Sequence, residues 1–186
     1  EAVRGLTHGF TYNDLTSLEQ LLDRYSREFA AVILEPMNIT FPAPGFLQGV
    51  KDLAHRHGAL LVFDETITGF RLSNGGAQEL FGVTPDLATF GKGLANGYPL
   101  SAVAGRADVM KFMEEVFFSF TMGGEALSLA AAKATLDKLQ REPVTKTLAA
   151  RGQYALEGTA TLLRSAGMDR CITVSGHPAW GFLSFA

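Results

Sequence analysis

Three short apolar runs mark out the first half of the chain. Ala31-Val32-Ile33-Leu34 leads into Glu35, Leu60-Leu61-Val62-Phe63 into Asp64, and Leu87-Ala88-Thr89-Phe90 into Gly91-Lys92. Apolar residues that follow one another without alternation suit a strand covered on both faces, and parallel sheets are built of such strands. Between the first two runs, Phe46, Leu47, Val50, Leu53 and Ala54 recur at helical spacing. Pro44 opens this segment and Gly58 stands where a helix-ending glycine belongs. Strand, helix and strand in that order predict a right-handed βαβ crossover. Upstream, Asp14 precedes a second amphipathic segment with Leu18, Leu21, Leu22 and Tyr25 inward. The expected fold is α/β, with helices flanking a mixed, mostly parallel sheet.

After Lys92 the pattern predicts a strand over Ser101–Gly105 and a short helix from about Ala107 to Val116. A long Ala-rich helix from about Glu125 to Leu139 follows the glycine-bearing loop Thr121-Met122-Gly123-Gly124. Arg141-Glu142-Pro143 breaks it, a further helix covers about Val144–Ala166, and Cys171–Ser175 alternates like a strand. These breaks predict one domain over residues 1–142 and the beginning of a second over 143–186. The first residue is Glu rather than Met, and the last six form an apolar, strand-like run, so both ends look cut from a longer protein.

Composition narrows the function. Hydrophobic residues are 47% of the 186 and charged residues 19%, enough apolar material for a buried core. With 16 basic and 19 acidic residues the net charge is -3, so no polybasic field exists to neutralise phosphates, which argues against nucleic acid. No apolar run approaches the roughly 20 residues needed to span a bilayer, and no basic head with an apolar stretch opens the chain. A single cysteine, Cys171, forms no internal disulfide and fits a reducing compartment, with the cytoplasm as the expected location.

In open α/β sheets, ligands sit outside the carboxyl ends of the strands. If the three runs are parallel strands, Glu35, Asp64 and Lys92 converge on one edge. Taken singly, each has a plainer reading: Asp64 and Glu65 capping the following loop, Lys92 a surface lysine. Taken together, with Gly91 and Gly93 letting a bulky group approach the backbone of Lys92, they point to a site. A cleft lysine suits Schiff-base chemistry, and a carboxylate suits holding a pyridine nitrogen protonated as an electron sink. Pyridoxal phosphate on Lys92 with Asp64 beneath its ring nitrogen meets both requirements.

Glu35-Pro36, Asp64-Glu65-Thr66-Ile67-Thr68-Gly69-Phe70-Arg71 and the run from Pro85-Asp86 through Gly91-Lys92-Gly93 to Tyr98-Pro99 carry a resemblance. Their order, with Asp64 and Lys92 28 positions apart, resembles class III pyridoxal-phosphate aminotransferases, closest to glutamate-1-semialdehyde 2,1-aminomutase-like members. The likeness runs through almost the whole chain and weakens after about Gln140. It implies the fold-type I large domain and the start of the small C-terminal α+β domain. It also implies that Lys92 forms the Schiff base and shuttles protons, and that Asp64 pairs with the ring nitrogen. Thr66 would pack on the ring where relatives usually carry Val, Ile67 would stand near the ring hydroxyl, and Glu35 would line the pocket. Thr121 would reach the cofactor phosphate of the opposite subunit, aided by the following helix end, which implies a homodimer with shared sites. The substrate would be an amino acid or an amino-aldehyde or keto compound.

Two departures stand out. Thr121-Met122-Gly123-Gly124-Glu125 replaces the Thr-x-x-Gly-Asn-Pro of many relatives, and Met37–Pro42 lacks a Gly-rich stretch. The phosphate loop and stacked aromatic of the family do not precede Glu35, so the chain reads as the middle of such an enzyme. An inactive fragment and a non-catalytic cofactor-binding homologue remain alternatives. Other signals are plainer: His55 and His57 face apart and do not predict a metal site, while His8 and His177 are structural. Arg71 is expected in a structural ion pair, with a substrate carboxylate as the alternative. The Phe117-Phe118-Ser119-Phe120 cluster is expected in core or dimer interface.

Overall fold

The computed structural model describes residues 4–117 and 119–186. Helix α1 (Leu15–Arg24) starts where Asp14 accepts the amide of Ser17, and α2 (Phe46–Arg56) begins after Gly45 in the left-handed region. Gly58, at φ +77°, ends α2 as a residue with no Cβ can. Strands β1 (Ala31–Leu34), β2 (Leu60–Asp64) and β3 (Leu87–Phe90) are parallel neighbours, and β4 (Ala102–Gly105) pairs antiparallel with β3. The order is β1-β2-β3-β4, with α2 as the crossover from β1 to β2. The core lies between this sheet and α1 and α2. Leu18, Leu22, Leu47, Val50 and Leu53 meet Val32, Leu61 and Phe63 there. Each such aliphatic side chain contributes about 1.5–3 kcal/mol when fully buried.

The sheet is not covered on both faces as its continuous apolarity predicts. Among the described residues, α1 and α2 cover one face, and the other stays open at β1, where Ile33 is 61% exposed. Continuous apolarity therefore reports what the strand can bury, not what this stretch of chain supplies. Three further details differ from expectation. A six-residue helix α3 (Gly76–Phe81), too short to show periodicity, stands between β2 and β3. The helix expected over Ala107–Val116 is a single α turn, α4 (Ala107–Met110), running into a 3-10 turn over Lys111–Glu114. Phe117 is 92% exposed and Phe120 half exposed, so neither is core here, and Phe118 lies outside the described residues.

Helices α5 (Ala126–Arg141) and α6 (Val144–Ser165) meet at Pro143, and β5 (Ile172–His177) and β6 (Trp180–Phe185) form a separate hairpin. The inner face of α5 packs Ala132 and Leu136 against Leu94, Ala95, Phe70 and Phe90, just beyond Lys92. No helix among the described residues is long and apolar enough to cross a membrane.

Candidate active site

The parallel register carries Glu35, Asp64 and Lys92 to one edge of the sheet. Leu34 pairs with Phe63 and Asp64 with Thr89, so the chain leaves all three strands on the same side. Lys92 opens a 3-10 turn (Lys92–Leu94) directly after β3, with its backbone at φ +38°, a region that costs a non-glycine residue energy. Its side chain is exposed and donates no hydrogen bond among the described residues, yet its charge reaches Asp64.

Asp64 is held from two sides. Its Oδ1 accepts the Thr66 amide at 2.9 Å and the Thr89 hydroxyl at 3.0 Å. Burial pushes the carboxyl pKa up, but the hydrogen bonds from Thr66 and Thr89, with the Lys92 charge, outweigh it and leave it lowered. The edge thus presents an ionised carboxylate beside an ammonium.

The flanking glycines also serve the packing of the protein's own turns. A Cβ on Gly91 would stand 3.3 Å from the Thr66 methyl, and one on Gly93 would stand 3.4 Å from the Gly69 carbonyl oxygen. They let the Lys92 turn lie against the Thr66–Phe70 turn, one glycine meeting a side-chain methyl and the other a backbone carbonyl. Thr66 is thereby wedged between Asp64 and Gly91, while Ile67 is half-buried in the same turn.

That turn is anchored by a residue whose role sequence reasoning reduced to a loop cap. Glu65 is fully buried; its carboxylate accepts from Thr68 Oγ1 at 2.5 Å and from the amides of Ala77 and Gln78, both at 2.8 Å. The capping reading therefore holds for Glu65, which seats the start of α3. Gly76, at φ +81°, has no room for a Cβ against the same carboxylate. Only the acid beside Asp64 signalled this, since its partners lie up to 13 positions away.

Glu35 sits one strand over, where Oε1 accepts Asn38 Nδ2 at 2.9 Å. It walls a cavity of about 580 Å³ with Phe10, Tyr12, Ile33 and Asn38. Tyr12, whose hydroxyl donates to the Pro36 carbonyl at 2.9 Å, is pushed up to about 12 by burial and stays protonated. Thr121 is not brought to the Asp64–Lys92 edge by any hydrogen bond among the described residues; it stands in an exposed turn before α5. The helix end expected to welcome an anion is already taken. Glu125 accepts the Ser128 hydroxyl at 2.6 Å and the amides of Leu127 and Ser128, each at 2.7 Å, and these bonds hold its carboxyl below its ordinary pKa.

Arg71 makes no ion pair among the described residues, against the expected structural one. Its Nε donates to the Ile67 carbonyl at 3.1 Å and Nη1 to the Ala179 carbonyl at 3.2 Å, tying the β5–β6 hairpin to the Thr66–Phe70 turn without an ion pair. His55 and His57 part as expected, toward Asp86 and Asp23. No group of three or more metal-ligating side chains exists among the described residues.

A parallel sheet with an acid and a lysine at adjacent carboxyl ends is the arrangement of an enzyme class. The family of class-III aminotransferases matches residues 8–176, and the chain belongs to it. It is 44% identical over 165 residues to glutamate-1-semialdehyde 2,1-aminomutase of Syntrophobacter fumaroxidans, covering 85% of this chain and 38% of that protein. It is 36% identical over 183 residues to 3-aminobutyryl-CoA aminotransferase of Cloacimonas acidaminovorans, covering 95% of this chain and 44% of that one. Among solved structures, the FumI protein of Sphingopyxis sp. MTA144 in its PLP internal aldimine form superposes with a TM-score of 0.90 at 28% identity, covering 96% of this chain and 44% of that chain. The fold is that of the fold-type I transaminases. The chain spans about two fifths of the length of the relatives it matches.

Proposed function

We propose that the protein transfers amino groups with pyridoxal phosphate held at Lys92. The carrying observation is the ionised Asp64 carboxylate on the same sheet edge as the Lys92 amine, close enough for their charges to interact. The donor set fits the cofactor: a carboxylate to accept a pyridinium N–H, an amine without a hydrogen-bond partner among the described residues, and a threonine packed between Asp64 and Gly91. When bound, the cofactor supplies the electron sink that makes a proton beside the substrate amine removable. Asp64 holds the ring nitrogen charged, and Lys92 anchors the cofactor and then moves the proton. Thr66 orients the ring by contact, and Ile67 and Glu35 border the space beside it.

The substrate is an amino acid or an amino-aldehyde or keto compound, and the reaction is either transamination or a shift of the amino group within glutamate-1-semialdehyde. The protein works as a homodimer in the cytoplasm, with Thr121 contributing to the partner's site through its hydroxyl. Residues 143–186 open the small domain. With Glu125 closing the start of α5, that contact draws nothing from the helix end.

The test is amino-donor turnover. Protein loaded with pyridoxal phosphate and offered a panel of α-, β- and ω-amino compounds should convert bound cofactor to pyridoxamine phosphate with at least one donor. Stable binding without conversion by any donor would instead make it a cofactor-binding homologue without catalysis.

A further inference from the structure

We propose that Thr89 is the positioning residue for the Asp64 carboxylate, pinning Oδ1 so that Oδ2 is the oxygen offered to the ring nitrogen. The inference rests on the cofactor reading above and deepens it. Thr89 is the one polar residue of β3, Leu87-Ala88-Thr89-Phe90, and lies directly across from Asp64 in the parallel register. Its hydroxyl donates to Oδ1 at 3.0 Å, and the Thr66 amide donates to the same oxygen at 2.9 Å. Neither of these two bonds engages Oδ2, and the Thr66 hydroxyl adds its own support to the carboxylate. An ionised carboxylate only accepts, so the Thr89 proton is committed to it.

The two donors differ in rigidity. Thr66 belongs to a turn, whereas Thr89 sits in a strand paired on both sides, by β2 and by β4. A β-branched side chain on a strand is also stiff at its first torsion. Thr89 is therefore the part of the clamp borne on the sheet itself, and site groups borne on strands are held more tightly than groups on loops.

Three variants test this: Thr89→Val and Thr89→Ala remove the hydroxyl, and Thr89→Ser keeps it. Carboxyl carbon NMR of the cofactor-free protein should show Asp64 titrating at higher pH in the valine and alanine variants and as wild type in the serine variant. The dissociation constant for pyridoxal phosphate should rise about tenfold without the hydroxyl and return with serine. An unchanged Asp64 titration in both valine and alanine variants overturns the inference and leaves the cofactor reading intact. Wild-type protein that binds no pyridoxal phosphate overturns the cofactor reading, while the carboxyl titration still decides the Thr89–Asp64 contact.

Discussion

Asp64 ends β2 and Asp86 immediately precedes β3, so two residues of one type stand at opposite edges of one sheet. Asp86, at the amino end of β3, is 2% exposed and saturated. It accepts Arg106 Nη1 at 2.8 Å, and its Oδ2 meets His55 Nε2 and the Leu61 amide, both at 2.7 Å. Three donors from α2, β2 and the segment after β4 close on one carboxylate. Asp64, at the carboxyl end of β2, is half-buried and receives its hydrogen bonds from threonines, with a lysine charge nearby. One edge spends its acid on joining elements, and the other leaves an acid and an amine available. The contrast separates a structural carboxylate from a chemical one by its partners rather than by its pKa, which is lowered in both.

Substitutions should split along the same line. Asp64→Asn keeps shape and most hydrogen bonds while removing charge. Amino-transfer rate should fall about 100-fold or more, the usual scale for losing a group that stabilises reaction charge, with the urea midpoint nearly unmoved. Asp86→Ala should do the reverse. It strands the buried Leu61 amide and frees Arg106 and His55 from their acceptor, costing about 2–3 kcal/mol in urea unfolding. An Asp86→Ala protein as stable as wild type would erase the distinction.

Acid should expose the same asymmetry. Burial pushes the Asp86 carboxyl up, but the Arg106, Leu61 and His55 contacts overcome it and bring it to about 2. A folded pKa below the unfolded value of about 3.9 means this stabilisation is complete above about pH 4 and is lost as pH falls toward 2. Asp86→Asn should flatten that part of the stability–pH curve in denaturant titrations from pH 5 to 2. Gly76→Ala tests the anchor between the two edges. Its positive φ and the Glu65 carboxylate against it should make the change cost about 1–3 kcal/mol. The smallest effect belongs to the exposed Lys133–Asp137 pair on α5, where Asp137→Asn should leave the urea midpoint within error of wild type.

Much of this was legible in the residues. The apolar runs marked β1, β2 and β3 because buried parallel strands carry little else, and Gly58 and Pro143 marked helix boundaries through their backbone restrictions. That Asp64 and Lys92 share one sheet edge follows from parallel pairing of those strands. Hidden features were those made by partners distant in sequence. Asp86 draws on His55, 31 positions away, and Glu65 on amides of a helix too short to announce itself. Arg71 chose backbone carbonyls, one of them 108 positions on, where charge alone suggested an acid. The occupied start of α5 could be sensed from Glu125 in place of Asn, but whether that acid would turn onto its own helix was a matter of geometry.

The central claim, that Lys92 carries the cofactor, is tested most directly by reducing the pyridoxal-phosphate-loaded protein with borohydride and mapping its peptides by mass spectrometry. The account predicts a single phosphopyridoxyl group on the peptide containing Gly91-Lys92-Gly93, and none there in Lys92→Ala. Label on Lys51, Lys111 or Lys133 instead, or no label in the loaded wild type, would contradict it.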